Sequence, residues 1–103
     1  MSVLHLITRP PHQSDGLFAC LSRLGQGDAL LLLADGVYTV QHADMLAKLL
    51  DQSGAVRATC HVLRDDLACR GLLEVALPDA VDRVDYPRFV ILTQTHGHCL
   101  TWC

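Results

Sequence analysis

An α/β fold in three layers, with about five parallel strands between helices, is what this chain predicts. Three observations carry the prediction. The runs Val3-Leu-His-Leu-Ile7 and Ala29 to Leu33 are short and continuously apolar, as strands covered on both faces are. Between such runs, leucines recur at helical spacing. Pro, Gly, Ser and Asp stand where the period changes, which is where turns and caps are needed.

The elements follow in order. Val3 to Ile7 is a buried first strand, broken by Pro10 and Pro11. Ser14 or Asp15 caps a helix whose apolar face is Leu17, Cys20, Leu21 and Leu24, and Gly25 and Gly27 end it. Ala29 to Leu33 is the second strand, and Asp35-Gly36 turns the chain. Met45, Leu46, Leu49 and Leu50 make Asp44 to Leu50 a short amphipathic helix. Val56 to Val62 alternates with period two and reads as a third strand. Asp65 and Asp66 suit the positive end of the next helix, with Gly71 as its stop. Val81 to Val84 is a fourth strand. Tyr86 to His96 is a helix with Pro87 in its first turn, held down by Tyr86 and Phe89, and Cys99 to Trp102 is a final strand. Strands alternating with helices place helices on both faces of the sheet.

Residues 1–103 read as a single domain, because 103 residues leave no room for a second core. Half of the residues are hydrophobic and 18% are charged, so some apolar surface is expected to be covered by partner subunits. Eight Lys and Arg stand against eleven Asp and Glu, and the basic residues are scattered. A polyanion-binding surface needs a basic stripe, so direct nucleic-acid binding is not expected. Met1 to Arg9 is too short and polar for a signal-peptide core, and Ala29 to Ala34 falls far short of a membrane span. Five cysteines without CxxC spacing read as reduced thiols in a cytoplasmic protein.

Several groups invite a chemical reading. Asp35-Gly36 follows a strand and so lies at the carboxyl edge of the sheet, where open α/β folds place their sites, although a simple turn accounts for it equally. No glycine-rich phosphate loop accompanies it, so no nucleotide or other cofactor is expected. Cys20 is the candidate nucleophile: Arg23, three residues on, is positioned to lower its pKa, while its place among Leu17, Leu21 and Leu24 suits a packed core cysteine. Cys60 alternates with Ala58 and Val62 as a core residue would. In the tail His96-Gly-His-Cys-Leu-Thr-Trp-Cys103, two His and two Cys fit no zinc module, so no metal is expected there; Cys103 is either a reactive terminal thiol or incidental. Asp65, Asp66 and Arg70 are either an interaction surface or a capped helix with an i,i+4 ion pair. Ser, His and Asp are present without a motif that joins them into a triad.

Three blocks carry a family resemblance: Leu31-Leu-Leu-Ala-Asp-Gly-Val37, Leu63-Arg-Asp-Asp-Leu-Ala-Cys-Arg-Gly-Leu72, and Val84-Asp-Tyr-Pro-Arg-Phe-Val-Ile-Leu-Thr93. With the His-containing first strand and Trp102 at the other end, they resemble the DsrH/TusB family of small bacterial sulfur-relay subunits. The resemblance implies a DsrEFH-like fold and a heterohexamer with two copies each of DsrE/TusD-type and DsrF/TusC-type subunits. It implies sulfur arriving from a TusA-like carrier and leaving through a TusE/DsrC-like one. The expected role is persulfide transfer serving 2-thiolation of the tRNA wobble uridine, with dissimilatory sulfur oxidation by a DsrEFH complex as the alternative. In such complexes the main transfer cysteine belongs to the DsrE/TusD-type subunit, which makes this chain an accessory subunit of a sulfurtransferase. Cys20 nevertheless falls where DsrH-type members carry a cysteine implicated in sulfur handling. That resemblance makes it the candidate persulfide carrier. Cys69 lies in the second block, where the family pattern demands no thiol.

Overall fold

The computed structural model describes residues 2–103. Its elements are β1 (Val3–Ile7), α1 (Gly16–Arg23), β2 (Ala29–Leu32), a 3₁₀ helix (Ala34–Gln41), α2 (Ala43–Ala55), β3 (Thr59–Leu63), α3 (Arg64–Cys69), β4 (Val81–Val84), α4 (Tyr86–Thr95) and β5 (His98–Trp102). All five strands are parallel and lie in the order β4-β3-β2-β1-β5.

That order decides which face each helix covers. From β1 to β4 every step moves the same way across the sheet, so right-handed crossovers put α1, α2 and α3 on one face. The step from β4 to β5 returns across the whole sheet, which puts α4 on the other. The packing agrees. Leu17, Cys20, Leu46, Leu49 and Leu67 meet Leu30, Leu32, Cys60 and Val62 on the first face. On the second, Leu92 and Phe89 of α4 cover Leu4, Ala29, Leu31, Leu63 and Val84. Each fully buried leucine contributes about 2 kcal/mol of transfer free energy. One helix spans a face that three share on the opposite side, and Tyr86, Val90 and Ile91 of α4 remain about half exposed. Phe89 therefore holds α4 down, and Tyr86 does not.

Local chemistry explains where the elements end. Arg57, the second residue of the expected third strand, belongs to the cap of α2, so β3 starts only at Thr59. Arg57 N–H donates to the Gly54 carbonyl (3.2 Å) and Ala58 N–H to the Ser53 carbonyl (2.8 Å), a Schellman cap with Arg57 in the left-handed region at φ 58°. The helix runs through Gly54 to reach this cap, five residues past the expected end at Leu50. The same motif closes α3, with Gly71 at φ 70° and Leu72 N–H donating to the Leu67 carbonyl at 2.8 Å. At α4, Asp85 Oδ1 accepts from Arg88 N–H (2.9 Å) and Pro87 fills the first turn. Asp15 stands at the N-cap of α1 but makes no side-chain bond there; Ser14 Oγ accepts from Gly16 N–H instead, at 3.0 Å.

Candidate functional site

The loops at the carboxyl ends of the strands are built around Gly36. Leu33 N–H donates to the Ile7 carbonyl (3.1 Å), and the chain then enters the 3₁₀ helix with Ala34 at φ 49°. A Cβ on Gly36 would collide with the Ile7 carbonyl oxygen, so the close approach admits only glycine. Asp35-Gly36 is thus the first turn of an eight-residue 3₁₀ helix rather than a free-standing turn.

Two sequence blocks thirty residues apart meet here. Asp66 Oδ2 accepts from Ala34 N–H at 2.6 Å. Arg70 donates from Nε (3.1 Å) and Nη2 (2.9 Å) to Asp35 Oδ1, and from Nη1 to the Asp66 carbonyl at 3.2 Å. Its guanidinium also lies 5.9 Å from the centre of the Tyr38 ring. The expected pair of Arg70 with its own helix is the weaker one: Asp66 Oδ1 stands 4.0 Å away. These charges are spent on joining the 3₁₀ helix to α3.

Cys20 faces inward from α1 and is fully buried among Ile7, Leu17, Leu21 and Leu30. Burial, with the nearby Asp28 carboxylate adding to it, pushes its thiol up to about 12. Arg23 is exposed and does not act on it; the charge that reaches Cys20 has the opposite sign. In this conformation Cys20 is a neutral thiol. Cys60 on β3 lies in the same layer and is likewise pushed up to about 12, by burial and then by Cys20 itself. Cys69, Cys99 and Cys103 are exposed. Among the described residues, no three His, Cys, Asp or Glu side chains gather as metal ligands would.

A feature the sequence reading passed over connects β1, β2 and β5. His5, in the middle of the first strand, is buried and meets Asp28 Oδ2 through Nε2 at 2.9 Å. Trp102 Nε1 donates to His5 Nδ1 at 3.0 Å. Asp28 also accepts from Val3 N–H and Gly25 N–H, both at 2.9 Å. Burial alone would push the Asp28 carboxyl up, but the bonds from His5, Gly25 and Val3 outweigh it and hold it below the usual value. The available signal was a lone histidine inside an apolar strand and an aspartate directly before another. What they bond to depends on β5 lying beside β1, which no local pattern encodes.

At the carboxyl ends of β1 and β5, where the strand order reverses, an open cleft of about 550 Å³ is lined by Arg9, Gln13, Ser14, Gly16, Trp102 and Cys103. Cys20, on the inward face of α1, is part of the core and does not line this cleft.

Comparison with known proteins supplies the rest. A family model described as "DsrH like protein" matches residues 9–99. "Protein TusB" of Klebsiella pneumoniae (strain 342) is 38% identical over 100 residues, covering 97% of this chain and 100% of the relative. "Protein TusB" of Pectobacterium parmentieri is 36% identical over 101 residues, with coverage of 97% and 100%. The crystal structure of the YchN protein from E. coli superposes with a TM-score of 0.68 over 99% of this chain and 100% of that one. At 17% identity, that likeness speaks for the fold alone.

Proposed function

The chain belongs to the DsrH family, and from that premise we propose that it is a subunit of a cytoplasmic sulfur-relay complex of the TusBCD kind, serving 2-thiolation of the tRNA wobble uridine. The observation that carries this reading is the end-to-end similarity, at 38% and 36% identity, to proteins called TusB. Its partners are DsrE/TusD-type and DsrF/TusC-type subunits in a heterohexamer, exchanging sulfur with TusA-like and TusE/DsrC-like carriers. Two physical features support an accessory role. Cys20 is held as a neutral, buried thiol, a poor nucleophile toward a donor persulfide. Tyr86, Val90 and Ile91 on α4 and Leu100 on β5 leave apolar surface of the kind that subunits cover. With eight basic residues against eleven acidic ones, the RNA is held by another protein.

The test is co-expression with the two paralogous subunits, followed by loading from a persulfide donor and intact-mass measurement of every chain. Co-elution as one complex, with the added sulfur on the DsrE/TusD-type subunit, is the expected result. Failure of this chain to co-elute with either paralogue would defeat the proposal.

The match to a family model named for DsrH favours a second reading, in which Cys20 itself carries sulfur within a DsrEFH complex of sulfur oxidation. The Cys20 thiolate would attack the outer sulfur of a donor persulfide, forming a new S–S bond while the donor's S–S bond breaks and its thiolate leaves. This requires α1 to lift from the sheet first. One extra sulfur atom on this chain, absent from Cys20→Ser in an intact complex, would decide for this reading.

A further inference from the structure

The bond between Trp102 and His5 has a fixed polarity. An indole Nε1 only donates, so the His5 Nδ1 that it meets at 3.0 Å carries no proton. The ring hydrogen is therefore on Nε2, directed at Asp28 Oδ2 at 2.9 Å. A second proton has one place to go, Nδ1, where it would confront the indole N–H. The resulting imidazolium keeps Asp28, now as a full ion pair, and loses Trp102 as a partner.

Losing Trp102 matters because of how β5 is attached. His98, Cys99, Leu100 and Thr101 are all exposed, and only Trp102 is partly buried. Its ring lies beside that of His5, with centroids 6.0 Å apart and planes 25° apart, and packs into the core layer that holds Ile7 and Cys20. Backbone pairing to β1 and a long bond from the Thr8 hydroxyl to the Trp102 carbonyl (3.5 Å) hold the strand's backbone, and Trp102 is its main side-chain anchor among the described residues. We infer that the His5–Trp102 hydrogen bond is a proton-sensitive latch, closed while His5 is neutral and opened when His5 takes up a proton, which frees Trp102 and loosens β5 from α1.

The groups that face His5 fit this behaviour. Asp28, ahead of β2, is a carboxylate that stays paired with the ring in either state. Cys20 on α1 is a neutral thiol, β2 presents the apolar Leu30 in register with His5, and β5 contributes Trp102. The latch goes beyond the sulfur-relay reading and holds whether or not Cys20 ever carries sulfur.

Trp102 is the sole tryptophan of the chain, so its fluorescence reports on the latch without interference. The experiment is an acid titration of the full chain, from neutral pH downward until the far-UV signal itself changes. Trp emission, far-UV circular dichroism and the histidine ring resonances are followed together. The expected result is a red shift that tracks His5 protonation while the far-UV signal stays constant. His61, on the other face of the sheet, is told apart by its own resonances. In His5→Asn, whose side-chain oxygen still accepts from the indole but does not titrate, the shift should vanish. If that variant does not fold, the wild-type indole N–H resonance decides: faster solvent exchange in step with His5 titration supports the latch. Emission that stays constant until the far-UV signal collapses, or an indole N–H indifferent to the charge on His5, would overturn it.

Discussion

Arg70 is held by Asp35, thirty-five positions away in sequence, more closely than by the aspartate one turn back in its own helix. The contact joins α3 to the start of the 3₁₀ helix, and the Asp66 bond to Ala34 N–H closes the same junction from the other side. Asp35 is more than half exposed, so solvent screens the pair. A double-mutant cycle on Asp35→Asn and Arg70→Gln should give a coupling of about 0.5 kcal/mol in urea unfolding. A coupling indistinguishable from zero would show that Arg70 matters only through the Asp66 carbonyl and Tyr38.

Gly36→Ala tests a harder constraint. The added Cβ meets a backbone carbonyl, so no side-chain rotation relieves the clash and the strand ends must move apart. We expect a loss of about 3 kcal/mol or more, read as a lower urea midpoint. A variant as stable as wild type would mean that the 3₁₀ helix sits away from β1 in solution.

Arg57 predicts a gain. It occupies the left-handed position of the same cap that Gly71 fills at the end of α3, and it does so with a Cβ. Arg57→Gly should raise stability by about 1 kcal/mol, because the strain of a left-handed Arg exceeds the added freedom of the unfolded chain. Gly71→Ala should lower it by a similar amount. Opposite signs from the two caps, measured in one denaturation series, are the outcome to look for.

The five thiols divide by burial. A disulfide reagent at neutral pH should modify Cys69 and Cys103 rapidly, Cys99 more slowly because partial burial pushes its thiol up, and Cys20 and Cys60 only on unfolding. Rapid modification of Cys20 in the folded protein would show that α1 opens readily. The same two residues set an alkaline limit. Their ordinary value is 9.0 and the fold holds both up to about 12, so the unfolded chain releases these protons first. Their contribution is complete below about pH 9 and is lost as pH climbs toward about 12. Replacing both with Ala should flatten the decline of stability over that interval.

His61 acts at the acid end. Burial lowers its pKa, and the charges of Arg88 and His96 add to this against the opposing pull of Asp82. With the folded value depressed, the unfolded state takes up the proton first. The stability tied to neutral His61 is present above the ordinary histidine value near 6.5 and is lost as pH falls below it. His61→Gln should lessen the acid sensitivity measured by urea unfolding at a series of pH values.

The parts of this fold that local pattern encodes were readable from residues alone. Val3 to Ile7, Val81 to Val84, the inward face of α1 and the stop at Gly71 all follow from period or turn chemistry. The α2 cap was not readable, because nothing local marks Arg57 as left-handed where a glycine would be expected. Cys20 was legible as a residue with two meanings, and its surroundings were not: the charge that acts on it is that of Asp28, and Arg23 is exposed and takes no part. The His5–Asp28–Trp102 cluster depends on strand order, which periodicity leaves open.

That strand order also shapes how the chain acquires its structure. His5 and Trp102 are 97 residues apart, so their bond closes a loop of nearly the whole chain. Loop-closure entropy grows only logarithmically, and the penalty in stability is modest. The penalty in time is larger, because contacts this distant form late in the search. β2, β3 and β4 are each laid beside the strand before, whereas β5 must find β1 across a finished sheet. Refolding should therefore run in two stages, with tryptophan fluorescence recovering after the secondary structure has returned.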